Sequence, residues 1–282
     1  FGAGKARLAR LGKDMLSFDS PFVVLPAPYH FEANELNVLG GKLVYTYNLD
    51  WTDKEGWKEK TPVPTRCSMG YMLPEGDPLK TESWHYQDYY LKNPGENGFD
   101  YSNNHTHLHK YEGKWYLFHH TMILKNAKHH KGGYRNISVD EIAVDEAKQH
   151  ISFAHASNKG VAQIRTVNPF EMQEMETTFA THNISFEEDS TTCGNMLAKT
   201  DGVGAIKLKG VEFGRKGKSV EFIARGKGQI DVRIDDPDGK LIASTLVDGN
   251  TTTKLLSRPT GIRDLVFIMS GETLKVDKWI IK

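Results

Sequence analysis

Apolar and polar residues alternate along most of this 282-residue sequence, in short runs bounded by Gly, Asn, Asp and Pro. The 3.6-residue periodicity of amphipathic helices is nearly absent. An alternation of period two places apolar side chains on one face of a strand and polar side chains on the other. The sequence therefore predicts an all-β protein, and its length suits two domains or one large β domain.

One pattern occurs twice in the first half, as NVLGGKLVYTYN (residues 37–48) and HKYEGKWYLFHH (residues 109–120). In each copy a strand reaches a Gly-Lys turn and returns as an aromatic, β-branched strand. The copies lie 72 residues apart, and each is followed by further strands. This spacing favours the blades of a β-propeller, with two unrelated hairpins as the alternative.

The composition changes at residues 167–170, where the Asn168-Pro169 turn signal precedes an acidic, mostly polar run. Beyond it, short strands separated by Gly, Asp and Thr recur at intervals of roughly 8 to 12 residues, which is typical of a β-sandwich. We therefore predict a boundary that divides the chain into residues 1–167, a propeller portion, and residues 168–282, a β-sandwich (jelly-roll) domain.

Charge and cysteine content exclude several classes of function. Lys and Arg number 36, and so do Asp and Glu, so no net field attracts the chain to nucleic acid or to an anionic membrane. No apolar run approaches the roughly 18 to 20 residues that a membrane-spanning helix needs. Cys67 and Cys193 fit neither a metal-ligand spacing nor a dense disulfide framework, and we expect both to be free thiols.

Glu32 stands just before the first hairpin, after Tyr29, His30 and Phe31. An apolar wall raises the pKa of a carboxyl group and lets it donate a proton near neutral pH. A lone Glu at a strand entrance is more often solvated, however. Local sequence alone therefore favours an ordinary surface charge over a catalytic acid.

Histidines are concentrated between residues 105 and 130. His105, His107 and His109 alternate on a predicted strand and would face one side, where imidazoles can share a metal ion. No Cys or carboxylate beside them completes an obvious set of zinc ligands. The favoured interpretation is that a single histidine points into the axial channel of the predicted propeller. The adjacent pairs at 119–120 and 129–130 cannot face one way on a strand, and we predict loop or rim positions for them.

Arg135 follows a Gly-Gly turn and precedes a predicted strand. Its guanidinium could hold a sugar hydroxyl or orient a carboxylate. An ion pair with Asp140 or Glu141 is an equally good interpretation.

Three segments, FEANELNVLGGKLVYTYN, SNNHTHLHKYEGKWYLFHH and YRNISVDEIAVDE, together resemble the later blades of family 43 glycoside hydrolases. The resemblance covers roughly residues 1–165 in order and spacing, and FGAGKARLARLGKDMLSFD resembles the segment after that family's second catalytic Asp. These enzymes are five-bladed propellers that act on arabinose- and xylose-containing polysaccharides. The resemblance implies a secreted or periplasmic arabinofuranosidase or xylosidase whose partner is plant cell-wall arabinoxylan or a related hemicellulose.

Individual roles follow from the same resemblance. Glu32 matches the general acid, Arg135 matches an active-site arginine, and Phe31 and Asn34 beside the acid are expected to contact substrate. Asn34 departs from the Ser or Pro that the family commonly has there. His105 matches the histidine that reaches into the axial channel and helps to hold a central calcium ion.

The family inverts configuration: the acid protonates the leaving oxygen while an Asp activates water on the opposite face, roughly 6.5 to 9.5 Å away. We find no motif in this sequence that matches that Asp or the second Asp, which tunes the acid. We therefore expect the N-terminal blades to be missing from the chain and a separate segment to complete the propeller. The alternatives are a non-catalytic carbohydrate-binding or scaffold fragment, and a zinc hydrolase that uses the three alternating histidines.

From Asn168 onward, NPFEMQEMETTF, IKLKGVEFG, KSVEFIARG and LKVDKWIIK resemble a family 6 carbohydrate-binding module. Glu174 and Glu176 match the acidic pair of its structural calcium site, and Asp277 matches the C-terminal acidic partner; such oxygen ligands suit calcium. Ala205 stands where the family places a Tyr or Trp, and the loop GNTTTKLLSRP lacks the expected Trp. Without these stacking platforms the usual cleft is expected to lose most of its affinity for sugar.

Overall fold

Antiparallel strands make up nearly all of the regular structure, which confirms the all-β prediction. The computed structural model describes residues 4–127, 131–132, 135–192 and 194–282. In these ranges the helical elements are α1 (Ile123–Ala127) and two 3-10 turns, Thr81–Ser83 and Pro94–Asn97. No helix in the described ranges is long and apolar enough to span a membrane.

The chain divides into two compact units, Phe1–Val161 and Ala162–Lys282. The predicted boundary followed residue 167. Residues 162–167 instead pack with the C-terminal unit, because the Val167 amide donates to the Gly210 carbonyl (2.9 Å) and the Glu212 amide donates to the Val167 carbonyl (2.9 Å).

Two antiparallel meanders form the centre of the N-terminal unit. The four-stranded sheet has the order β3-β4-β5-β6 and the three-stranded sheet has the order β7-β8-β9, while β1-β2 and β10-β11 are short pairs. The bounds are β1 Arg7–Leu8, β2 Val23–Val24, β3 His30–Leu39, β4 Lys42–Leu49, β5 Met69–Pro74, β6 Trp84–Leu91, β7 Thr106–Tyr111, β8 Lys114–Thr121, β9 Asn136–Ile142, β10 Val144–Asp145 and β11 His150–Ile151. Each meander has the up-and-down order of a propeller blade, and the described residues form no closed ring of blades.

The two repeated sequence patterns are both hairpins, β3-β4 and β7-β8, as predicted. Their two-residue turns have positive φ at both central positions, 57° and 81° at Gly40-Gly41 and 48° and 80° at Glu112-Gly113. This is the backbone of the type I′ turn, whose twist matches that of the strands. A Cβ at Gly40 would lie 2.3 Å from the Glu146 carbonyl oxygen, so only glycine fits there.

Strand β4 is buried on both faces, which is why its sequence does not alternate cleanly. Val44 joins an apolar cluster shared with the three-stranded sheet, including Leu117 and Ile142. Tyr45 and Tyr47 point into a second cluster, which the N-terminal segment covers with residues such as Ala6 and Leu25. The hairpin that carries Glu32 is therefore held rigidly from two sides.

The C-terminal unit is a β-sandwich, as predicted. One sheet has the order β14-β15-β22-β17-β20 with β12 paired to β22, and the other has the order β13-β16-β21-β18-β19. The bounds are β12 Gln173–Glu174, β13 Ala180–His182, β14 Ser185–Glu188, β15 Met196–Lys199, β16 Val203–Phe213, β17 Ser219–Arg225, β18 Lys227–Ile234, β19 Leu241–Asp248, β20 Thr251–Lys254, β21 Gly261–Ser270 and β22 Lys275–Ile281. Phe222, Phe267 and Trp279 are fully buried in its core.

Candidate functional site

A backbone irregularity directs the side chain of Glu32. The register between β3 and β4 shifts on both sides of Glu32, and Ala33 adopts a left-handed conformation with φ of 53°. Such bulges turn a side chain away from the regular pleat and often occur beside active sites. The backbone of β3 therefore sets the direction of the Glu32 side chain, which remains 30% exposed.

The Glu32 carboxyl group contacts a segment more than 70 residues further along the chain. Asn103 donates from Nδ2 to Glu32 Oε1 over 2.6 Å, and His105 Nε2 lies 3.1 Å from the same oxygen. The Asn103 side chain in turn accepts a hydrogen bond at Oδ1 from the Trp51 indole Nε1 over 2.8 Å. The structure thus brings Glu32 and His105, two predicted site residues, into direct contact.

Buried amides hold the segment that carries Asn103 and His105. Asn48, which is paired with Glu32 across the hairpin, donates from Nδ2 to the Asn104 carbonyl over 2.8 Å. Its Oδ1 accepts from the thiol of Cys67 over 3.2 Å; Cys67 is a buried free thiol, and burial raises its pKa. Cys193 lies outside the described residues. One hairpin therefore anchors both the backbone and the side chains of the segment at 103–105.

His120 forms a buried wall of the site. It is 9% exposed, its Nε2 lies 3.1 Å from Ser102 Oγ, and its ring centroid is 5.6 Å from that of His105. Burial is the main cause that lowers the pKa of His120 to about 4, and the charges of Arg135 and His105 act in the same direction. His120 is therefore neutral at physiological pH.

The prediction that His119 and His120 occupy a loop or rim is wrong, because both are buried on β8. Their side chains point to opposite faces of the three-stranded sheet, and both are buried. His119 Nε2 bonds Asp140 Oδ2 over 2.8 Å, while Asp140 also accepts from the Ser157 amide (2.9 Å) and hydroxyl. The pair at 129–130 lies outside the described residues.

The zinc interpretation of the three alternating histidines is wrong. His105 contacts Glu32, whereas His107 bonds Glu35 from Nδ1 over 2.5 Å and its ring lies 5.6 Å from that of His109. The described ranges contain no group of three His, Cys, Asp or Glu side chains arranged to hold a metal ion. His105, His107 and His109 therefore do not form a three-histidine metal site.

The remaining predicted substrate residues lie in different places. Arg135 is exposed just before β9. Among the described residues, Asp140 binds His119 and Glu141 binds Lys114 at 2.8 Å, and neither carboxylate forms an ion pair with Arg135. Phe31 is half-buried. Asn34 lines a cavity of about 410 Å³ together with the N-terminal segment, and Glu32 is not part of that lining.

The three predicted calcium ligands of the C-terminal unit lie around the pairing of β12 with β22. Glu176 Oε2 and Asp277 Oδ1 are buried without a hydrogen-bond partner among the described residues. Glu174 instead accepts from Lys278 Nζ at 2.6 and 2.7 Å. This hydrogen bond is the main cause that raises the pKa of Lys278, and the nearby carboxylates contribute. Lys278 Nζ also lies 3.7 Å from Asp277 Oδ1, and the described residues bring together no group of three His, Cys, Asp or Glu side chains that could hold a metal ion. Glu176 and Asp277 are therefore the two carboxylates that could face a cation, whereas Glu174 bonds Lys278.

Sequence reasoning missed several residues of the site. Ser102 and Asn103 belong to the SNNH segment and His120 to a noted histidine pair, but none of them was assigned to the site, and Trp51 and Asn48 carried no local signal. They converge only because the hairpin and the segment at 102–105 meet in space. Only information on contacts between residues that are far apart in the sequence could have predicted this arrangement.

The stability of the N-terminal unit is expected to fall as the pH drops from about 6.5 to about 4. Burial lowers the pKa of His30 from 6.5 to about 4, so the unfolded chain binds a proton in this range that the folded chain does not. His30→Gln removes the contribution of His30 and is expected to reduce the fall in melting temperature between pH 7 and pH 4.5, while His120, whose pKa is also lowered to about 4, keeps its own contribution. The exposed His182→Gln variant is the control, and an unchanged slope in His30→Gln would contradict the account.

Comparison with known proteins gives relatives along almost the whole chain. No protein-family profile matches it. An arabinoxylan arabinofuranohydrolase of Paenibacillus polymyxa is 25% identical over 97% of this chain and 45% of its own length. An arabinoxylan arabinofuranohydrolase of Bacillus subtilis is 28% identical over 94% of this chain and 53% of its own length. The crystal structure of a family 43 arabinoxylan arabinofuranohydrolase from Bacillus subtilis in complex with cellotetraose superposes with a TM-score of 0.82 at 26% identity, covering 98% of this chain and 59% of that one. The chain spans about half the length of the curated relatives it matches, and it is similar to these hemicellulose-degrading glycoside hydrolases throughout.

Proposed function

We propose that this chain belongs to a glycoside hydrolase that removes arabinose or xylose units from arabinoxylan or a related hemicellulose, with Glu32 as the general acid. The observation that carries the proposal is the partly exposed Glu32 carboxyl group, held through one oxygen by Asn103 and His105. Similarity to arabinoxylan arabinofuranohydrolases over 94% and 97% of the chain supports the substrate class.

The chemistry expected of Glu32 is protonation of the glycosidic oxygen as the sugar departs. An inverting enzyme pairs this acid with a carboxylate that activates water on the other face of the ring. We propose that a further polypeptide segment supplies that Asp and completes a five-bladed propeller with the two meanders. In the same proposal Arg135 and Phe31 contact the sugar, and the protein acts outside the cytoplasm, where the polymer is.

The stereochemistry of the product tests this proposal. The protein, prepared as its gene encodes it, is incubated with arabinoxylan and with aryl arabinofuranoside and xyloside, and the first-formed sugar is followed by proton NMR. We expect release of a sugar whose anomeric configuration is inverted, and the faster aryl glycoside identifies the sugar that is removed. Retention of configuration would overturn the inverting mechanism, and the absence of hydrolysis would favour a non-catalytic carbohydrate-binding or scaffold protein.

For the C-terminal unit we propose a structural calcium ion bound by Glu176 and Asp277. Support comes from their buried oxygens Glu176 Oε2 and Asp277 Oδ1, which form no hydrogen bond with the described residues. Such an ion would neutralise the two carboxylates and join the two ends of the sandwich. The calcium ion expected beside His105 stays a prediction of the family resemblance, and no step of the proposed chemistry depends on it.

Calcium is expected to raise the melting temperature of the C-terminal unit, because an ion that binds only the folded state stabilises it. At a free concentration 100 times the dissociation constant the gain is about 2.7 kcal/mol. Asp277→Asn should abolish the difference between calcium-loaded and chelator-treated protein, whereas the exposed Glu272→Gln should preserve it. A calcium response that survives Asp277→Asn would refute the assignment.

A further inference from the structure

The contacts of Glu32 continue outward to an indole. Trp51 lies two residues after the end of β4, and its Nε1 donates to Asn103 Oδ1 over 2.8 Å, while Asn103 Nδ2 donates to Glu32 Oε1 over 2.6 Å. The Trp51 and Asn103 side chains are partly buried. The three side chains form a relay that runs from Glu32 on β3, through Asn103, to Trp51 just beyond β4.

The chemistry of an indole fixes the direction of this relay. An asparagine amide can present either its oxygen or its nitrogen to a neighbour, but the indole N–H is only a donor. Trp51 therefore requires the oxygen of Asn103 on its side and turns the NH₂ group toward Glu32. Without the indole, Asn103 could turn over and place its oxygen against the Glu32 carboxyl group.

The backbone keeps Trp51 in place relative to Glu32. The amide of Asp50, the residue before Trp51, donates to the carbonyl of Tyr29 over 2.8 Å, close to the start of β3. Asn48 holds the Asn104 carbonyl over 2.8 Å, next to Asn103. The donor and the acceptor of the relay are thus anchored to the same hairpin, so their separation is set by strand pairing.

We propose that Trp51 and Asn103 are positioning residues that fix the orientation of the Glu32 carboxyl group. Among the described residues, the hydrogen bonds to this carboxyl group from Asn103 and His105 both end on Oε1. Oε1 is therefore held as the acceptor, and Oε2 is the oxygen that presents the proton to the leaving group. This inference rests on the proposed role of Glu32 as the acid.

The kinetic test compares Trp51→Phe, Asn103→Ala and their double variant with Trp57→Phe. Trp57 also donates its indole N–H, to the Thr61 carbonyl over 3.2 Å, and is the matched control. A misplaced acid is expected to lower kcat about 10- to 100-fold with KM changed less than about twofold. The loss should be greater for arabinoxylan than for an aryl glycoside with a nitrophenolate leaving group, which needs little protonation. Because both residues serve one relay, the double variant should be no worse than the poorer single variant.

A purely structural role would give a different result. Equal losses on both leaving groups, a dominant change in KM, or additive effects in the double variant would overturn the positioning role. Melting temperatures of all variants show whether a loss reflects unfolding.

Nitrogen–proton NMR of the indole groups tests the relay without any activity. The Trp51 Nε1–H signal, assigned from its absence in Trp51→Phe, is expected to move upfield and to exchange faster with solvent in Asn103→Ala, whereas the Trp57 signal stays in place. An unchanged Trp51 signal would overturn the relay. If the signal moves but the parent protein hydrolyses no substrate, the proposed function fails and the relay stands as a structural contact.

Discussion

Glu32→Gln is expected to lower kcat/KM for arabinoxylan by about 100- to 10,000-fold, the usual contribution of a general acid. Glutamine has the shape of the protonated acid and retains an oxygen for the Asn103 amide, but it cannot supply a proton. The leaving sugar oxygen would then depart as an alkoxide, which is a poor leaving group. The measurement is the initial rate of sugar release by the protein as its gene encodes it.

Glu75→Gln is the matched control for this experiment, because the Glu75 side chain is 82% exposed. It should hydrolyse arabinoxylan at the parent rate. Both variants should also melt within about 2 °C of the parent, since surface or isosteric changes alter the free energy of unfolding by less than about 0.5 kcal/mol. Turnover of Glu32→Gln near the parent rate would remove Glu32 from the acid role.

Trp279→Ala is expected to destabilise the C-terminal unit by about 3 to 5 kcal/mol, the usual cost of removing a large aromatic side chain from a core. Trp279 is fully buried, and its ring lies 5.2 Å from that of Phe267. It also sits on β22, which pairs with β12, β15 and β17. The cavity left behind would lie at the centre of the larger sheet.

Hydrogen exchange measured by mass spectrometry can follow the C-terminal unit separately from the rest of the chain. Amides of β17 and β22 should lose protection in Trp279→Ala, while those of β4 and β8 should not. Leu246→Ala is the control, since Leu246 is 79% exposed and should leave exchange unchanged. Equal protection in Trp279→Ala and the parent would show that this ring is not a main contributor to the core.

The β class and the hairpins were predictable because local physics determines them. A two-residue turn such as Gly40-Gly41 needs positive φ and is readable in the sequence, and the alternation of the sandwich strands reports one buried face. By contrast, His119 and His120 looked like rim residues because adjacent side chains on a strand face opposite ways. They are both buried because β8 is covered on both sides, which depends on tertiary structure.

The candidate site was predictable in part. The family resemblance pointed to Glu32 and His105, which lie 73 residues apart in sequence and 3.1 Å apart in the structure. The side chains that hold Glu32 in place were not predictable, because Trp51 and Asn103 come into contact only where two separate sheets meet. The three alternating histidines illustrate a limit of the pattern: a shared face left a three-histidine metal site open as an alternative, whereas each of His105 and His107 has its own carboxylate partner.

The leaving-group dependence of the Glu32→Gln variant tests the central claim most directly. An acid is needed in proportion to the basicity of the departing oxygen, so loss of the acid should matter least for the best leaving group. We predict a rate near that of the parent on a dinitrophenyl arabinofuranoside or xyloside and a loss of at least about 100-fold on arabinoxylan. An equal loss on both substrates would contradict the assignment of Glu32 as the proton donor.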